Sequence, residues 1–165
     1  MGDFINENFA STHQKVGTFQ IVNGQKQGGN VACYFCRPDG TVLHAVAGPV
    51  NAVTLLAEAR FAVELDKLAQ LNGGKSTLKQ KLTIAEEHQK RVKSAARGNR
   101  GDLDLLTKGF GLDDNFFVQF KQLNTASKVS ALLMYKPLAK LEDFYPLVWE
   151  KVLQQAQNVA PVAVR

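Results

Sequence analysis

Val31-Ala32-Cys33-Tyr34-Phe35-Cys36-Arg37-Pro38-Asp39-Gly40-Thr41-Val42-Leu43-His44-Ala45-Val46-Ala47-Gly48-Pro49 is the stretch from which the rest of the chain is read. Two short apolar runs flank Arg37-Pro38-Asp39-Gly40-Thr41. Pro38 presets φ at the first turn position, Asp39 tolerates the second, and Gly40 suits the left-handed residue of a three-residue hairpin loop. The flanking runs are rich in Val, Phe, Tyr, Leu and Cys, the composition of buried strands. Gly48-Pro49 ends the second run and leads into a helix.

On the N-terminal side, residues 3–8 read as the last turns of a helix. Ser11–Val22 mixes β-branched, aromatic and polar residues, as a half-exposed strand does, with a bend at Gly17. Asn23-Gly24 is a turn signal, and Gly28-Gly29-Asn30 closes a flexible loop. The expectation is a three-stranded antiparallel meander over 12–22, 31–36 and 41–47. On the C-terminal side Asn51 is placed to cap a helix carrying Val53, Leu55, Leu56, Ala59, Ala62, Val63 and Leu65, and Asn72-Gly73-Gly74 ends it. A second helix is expected from Ser76 or Thr77 to Ala96, packing through the thin stripe Leu78, Leu82, Ala85, Gln89, Val92 and Ala96. Further helices are expected from Asp102, from Asp113 or Asp114, from Thr125 or Ser127 to Lys136-Pro137, and over 147–157. The fold class is therefore α/β in the broad sense (α+β). A small, mostly antiparallel sheet in residues 1–72 packs with helices, and an all-helical extension over 73–165 packs on it.

The chain of 165 residues is 45% apolar and 21% charged, enough for one packed domain. Its two cysteines do not make a disulfide framework. The first residues have no basic and apolar leader pattern, and no run is long enough to span a bilayer, so a soluble chain without a membrane partner is expected. Cytoplasmic localisation goes with that, or extracytoplasmic if an upstream signal segment has been removed. The charge is uneven. Residues 1–70 carry 5 basic and 6 acidic side chains, residues 71–100 carry 8 and 2, and residues 101–165 carry 7 of each.

Asp3-Phe4-Ile5-Asn6-Glu7-Asn8-Phe9 resembles the segment that ends the first helix of many thioredoxin-like domains. The strand–Pro-Asp-Gly–strand–Gly hairpin and the Asn51–Leu71 helix resemble the closing hairpin and final helix of the same fold. The resemblance covers residues 3–70 and implies a thioredoxin-like domain. The family's redox Cys-x-x-Cys, which opens its first helix, has no counterpart here, nor does the cis-proline that precedes the strand matching Val31–Cys36. The resemblance therefore implies the fold without its dithiol, and an open sheet edge where the central strand would lie.

Cys33 and Cys36 are formally a C-x-x-C pair. On a strand, residues three apart point to opposite faces, so the reading is core packing rather than a dithiol or half of a zinc site with His13 and His44. The three-residue loop places Tyr34 opposite His44, whereas other loop lengths would place Cys33 there. Gly73-Gly74-Lys75-Ser76-Thr77 mimics the end of a phosphate-binding loop but lacks the earlier glycine, which is Ala69, and the preceding strand. Lys75, Lys79, Lys81, Lys90, Arg91, Lys93, Arg97 and Arg100 form a basic helix. It reads as a solvated face or a dock for an acidic partner, with Asp102, Asp104, Asp113 and Asp114 as acids within the chain, or alternatively as a nucleic-acid contact. Phe110, Phe116, Phe117, Phe120, Phe144, Tyr145 and Trp149 read as core between the C-terminal helices and the sheet. No catalytic residue set, metal site or cofactor is called for. The leading expectation is a non-catalytic binding or scaffolding module that associates with itself or a protein partner through its sheet edge. The alternatives are a thiol-disulfide oxidoreductase and a nucleic-acid binder through 75–100.

Overall fold

The computed structural model describes residues 1–13, 19–28, 30–95, 112 and 114–155. Helix α1 spans Gly2–Asn8, and strands β1 (Phe19–Val22), β2 (Gln25–Gly28), β3 (Ala32–Cys36) and β4 (Val42–Ala47) follow. Then come helices α2 (Ala52–Gly73), α3 (Thr77–Ala95), α4 (Asp114–Phe120), α5 (Thr125–Tyr135) and α6 (Leu141–Leu147), with a π-helical turn over Val148–Val152. The architecture is mixed α+β and mostly helical. Pro146 sits inside α6 and has no N–H to give, and the backbone widens into the π turn directly after it.

The three-stranded meander does not form among the described residues. Asn23 and Gly24 both take positive φ, 53° and 76°, the requirement of a tight two-residue hairpin turn. The chain therefore folds straight back, and β1 pairs with β2 instead of β3. β3 and β4 form their own two-stranded antiparallel sheet. Its loop is built as its residues dictate. The Gly40 N–H donates to the Arg37 carbonyl and the Arg37 N–H to the Thr41 carbonyl, each at 2.9 Å. Gly40 has φ +79°, and the Asp39 carboxylate accepts from the Thr41 N–H and hydroxyl.

Register is set by one further feature. Phe35 lies opposite His44 but Cys36 lies opposite Val42, so Leu43 is an extra residue, a bulge. The three-residue loop alone would have set Tyr34 against His44; the bulge moves the pairing by one. Cys33 lies opposite Val46.

β4 is buried along its whole length because helices cover both faces. On one face Phe35, Val46, Ala59 and Ala62 cluster with Cys33 and with Phe4, Ile5 and Phe9 around α1. On the other, Val42, Ala45 and Ala47 join Phe120, Val129, Leu132, Phe144 and Val148, with Tyr34 and Cys36 against them. Leu43, turned by the bulge, packs with Leu65, Ala69, Ile84 and Leu138. Phe116, Phe120, Phe144 and Trp149 are buried as expected from the aromatic cluster, and Phe110 lies outside the described residues.

Asn51 caps α2, accepting from the Thr54 N–H at 2.8 Å. The Gly73-Gly74 stretch is a helix end, as its spacing implied. A Cβ on Gly73 would meet Gln80 Cγ at 2.5 Å, so α2 and α3 approach closely there. The packing stripe of α3 differs from the expected one. Val92 faces inward as expected, but with Thr83, Ile84 and His88 beside it, while Leu78 and Leu82 are exposed. Two leucines one turn apart outweighed Ile84 in the sequence pattern, but α2 packs on the opposite side of the helix.

Candidate functional site

The hairpin is the centre of the molecule and carries the features most able to act. The Gly48 N–H donates to the Val31 carbonyl at 2.7 Å, which makes Val31/Gly48 a hydrogen-bonded pair. Alternation then sets Cys33/Val46 and Phe35/His44 as bonded pairs. The backbone groups of Ala32, Tyr34 and Cys36 consequently point away from β4, along an edge that no strand covers among the described residues. On β4 the outward-pointing residues are Val42, Ala45 and Ala47. The Val42 N–H is taken up by the Ala139 carbonyl at 2.9 Å.

Cys33 and Cys36 are not brought together. Cys33 lies in the cluster against α1 and α2, and Cys36 lies in the cluster against α5 and α6. Both are half-buried free thiols. Burial pushes both thiols above their ordinary range, the reverse of a reactive thiolate. Among the described residues no group of three or more His, Cys, Asp and Glu side chains is placed to hold a metal ion, and His13 is exposed.

A polar cluster that the sequence pattern did not reveal sits behind the hairpin. His44 Nε2 lies 2.8 Å from Glu58 Oε2, and Arg91 spans both Glu58 oxygens at 2.6 and 2.8 Å. The Arg91 guanidinium also lies 4.2 Å from the Phe61 ring centre. His88 Nε2 donates to the Leu43 carbonyl at 3.0 Å, and its ring stacks on His44 at 5.5 Å. β4, α2 and α3 are thus tied together by four side chains. Burial would raise the Glu58 carboxyl, but the His44 and Arg91 contacts outweigh it and hold it at about 2. Burial lowers His44 against the pull of Glu58, and burial with His44 alongside lowers His88 to about 3. Both imidazoles are therefore neutral at neutral pH. Nδ1 of each is sealed from solvent and has no hydrogen-bond partner among the described residues. These contacts hold the three elements together, and His44 and Glu58 also border the cavity along β4.

At the other end of the hairpin, Arg37 bonds Asp66 at 2.6 Å and Gln80 at 2.8 Å, pinning the turn to α2 and α3. The basic helix is divided by this packing. Arg91 is committed inward, and Lys90 pairs with Glu87. Lys75, Lys79, Lys81 and Lys93 are exposed. Lys79 and Lys81 are roughly 200° apart around the helix axis, so these cations form no single stripe. Arg97, Arg100, Asp102, Asp104 and Asp113 lie outside the described residues.

A cavity of about 460 Å³ runs along the last residues of β4. Residues of both sheet faces line it, His44 and Val46 with Ala45 and Ala47, so it lies at the strand's edge. Thr54 and Glu58 of α2 form one wall, and Thr125, Ala126 and Leu153 the other. No helix among the described residues is long and apolar enough to cross a membrane. Comparison with family models, curated proteins and solved structures finds no match to this chain.

Proposed function

We propose that this chain is a non-catalytic, thioredoxin-like binding or scaffolding module that joins another protein chain through the outer edge of β3. One observation carries the reading. The backbone groups of Ala32, Tyr34 and Cys36 point outward, and no strand among the described residues takes them up. An uncovered strand edge is a template for pairing, and backbone bonds supply affinity without a catalytic residue. The half-buried, separated and burial-raised thiols favour this reading over a thiol-disulfide oxidoreductase. The dispersed lysines of α3 favour it over a nucleic-acid binder. The simplest partner is a second copy, with β3 meeting β3 about a two-fold axis.

Light scattering across micromolar concentrations tests it, and the expected result is a concentration-dependent dimer. Ala32→Pro removes one outward N–H without touching the β3–β4 ladder, so it leaves circular dichroism unchanged and the chain monomeric. A wild-type chain that stays monomeric throughout refutes pairing between copies. A dimer that survives Ala32→Pro places the contact elsewhere.

A further inference from the structure

The second edge of the hairpin differs from the first in being enclosed. An ordinary edge strand turns its spare N–H and C=O groups to water, which satisfies them. β4 does not lie open in this way. Ala45 and Ala47 are 2% and 8% exposed, because α2 stands on one side of the edge and α5 with the π turn on the other. Further along the same edge the spare groups are already used. The Ala139 carbonyl receives the Val42 N–H, and His88 Nε2 donates to the Leu43 carbonyl. From Ala45 to Ala47 that protection stops and the cavity begins.

We infer that this cavity is a binding slot for an extended peptide segment with apolar side chains, which adds to β4 as a third strand. The spacing supports a backbone occupant. Ala45 and Ala47 offer two N–H and two C=O groups one strand repeat apart, about 6.8 Å, the pattern that one edge of an extended chain complements. The position supports it as well, since residues of both sheet faces and of the helices on either side line the cavity, where a further strand would continue the sheet. The volume of about 460 Å³ falls within the range of formed ligand sites. The lining sets the side-chain chemistry. Ala45, Ala47, Ala126, Val152 and Leu153 give apolar contacts, and Thr54 and Thr125 supply hydroxyls. Glu58 is the charged side chain in the wall; Arg91 already neutralises it, and His44 hydrogen-bonds to it. The slot is separate from the β3 edge and stands whether or not β3 pairs.

The probe is an acetylated, amidated hexapeptide of alternating valine and alanine with one lysine for solubility, titrated into the full chain and followed by amide NMR. The Ala45 and Ala47 amide resonances are expected to shift saturably, and their hydrogen exchange to slow by about ten-fold or more as the spare groups become bonded. The same peptide N-methylated along one edge leaves both amides unchanged. Ala126→Trp, at the exposed rim, plugs the slot and abolishes the shifts while the melting temperature holds. Absence of a saturable shift up to millimolar peptide overturns the inference. So do shifts centred on Ala32, Tyr34 and Cys36, or binding that survives N-methylation or Ala126→Trp.

Discussion

His88 is fully buried and neutral, which ties the stability of the fold to pH in a calculable way. Its folded pKa is about 3 against 6.5 for the free side chain. Between these values the unfolded chain binds a proton that the folded chain refuses, so stability falls as pH falls. From pH 7 to pH 4.5 the loss is about 2.5 kcal/mol from this residue alone, at 1.36 kcal/mol per pH unit below the unfolded pKa. His44, also lowered by burial, acts in the same direction. Glu58 adds most of its share below its unfolded value of 4.5, so a scan that stops there reads mainly the imidazoles. The matched variant is His88→Gln, whose amide N–H reaches toward the Leu43 carbonyl but does not titrate. Urea unfolding followed by Trp149 fluorescence at pH 7.0, 5.5 and 4.5 reads the effect. The wild type is expected to lose about 2–3 kcal/mol more than His88→Gln over that range. Equal losses in the two chains refute a buried neutral His88.

Other expectations follow from particular contacts. Glu58→Gln leaves Arg91 facing a neutral amide in a largely buried site and lowers unfolding free energy at pH 7 by about 3 kcal/mol, read by urea titration. Gly73→Ala drives a Cβ toward Gln80 and costs about 1–3 kcal/mol, visible as a lower denaturation midpoint with an unchanged slope. Leu132→Ala, at a fully buried position, costs about 2–5 kcal/mol. Iodoacetamide at pH 7.5 alkylates Cys33 and Cys36 at least roughly ten-fold more slowly in the native chain than in urea, because burial raises both thiols. Native reaction at the unfolded rate would restore the oxidoreductase reading.

The parts legible in the sequence are those written by neighbouring residues. Pro38-Asp39-Gly40 states its own loop, Asn51 its own cap, and Gly73-Gly74 its own helix end. The bulge at Leu43 was not legible, because it answers to α2 and α3 and not to the strand's own composition. Nor was β2, since Gln25-Lys26-Gln27-Gly28 shows no apolar alternation and pairs only because Asn23-Gly24 turns the chain back. The polar cluster draws His44, Glu58, His88 and Arg91 from three separate elements, and each looks ordinary alone. One signal was present. His88 stands four residues from both Ile84 and Val92, so taking Ile84 as the anchor of α3 would have placed a histidine in the core. The exposed pair Leu78 and Leu82 pointed the pattern the other way.

The double covering of β4 has a consequence for how the chain folds. Val46 meets Ala59 and Ala62, which follow it closely in sequence. Ala45 and Ala47 meet Val129, Leu132 and Val148, which emerge from the ribosome only after most of the chain has been made. The hairpin and α2 can therefore collapse early through nearby contacts, while the opposite side of the same strand stays bare until the C-terminal helices close over it. Contacts of such long sequence separation form late, since loop closure must precede their reward. A nascent chain halted after α3 thus presents a flat apolar strand face to its surroundings, the state most prone to aggregation and most in need of a chaperone.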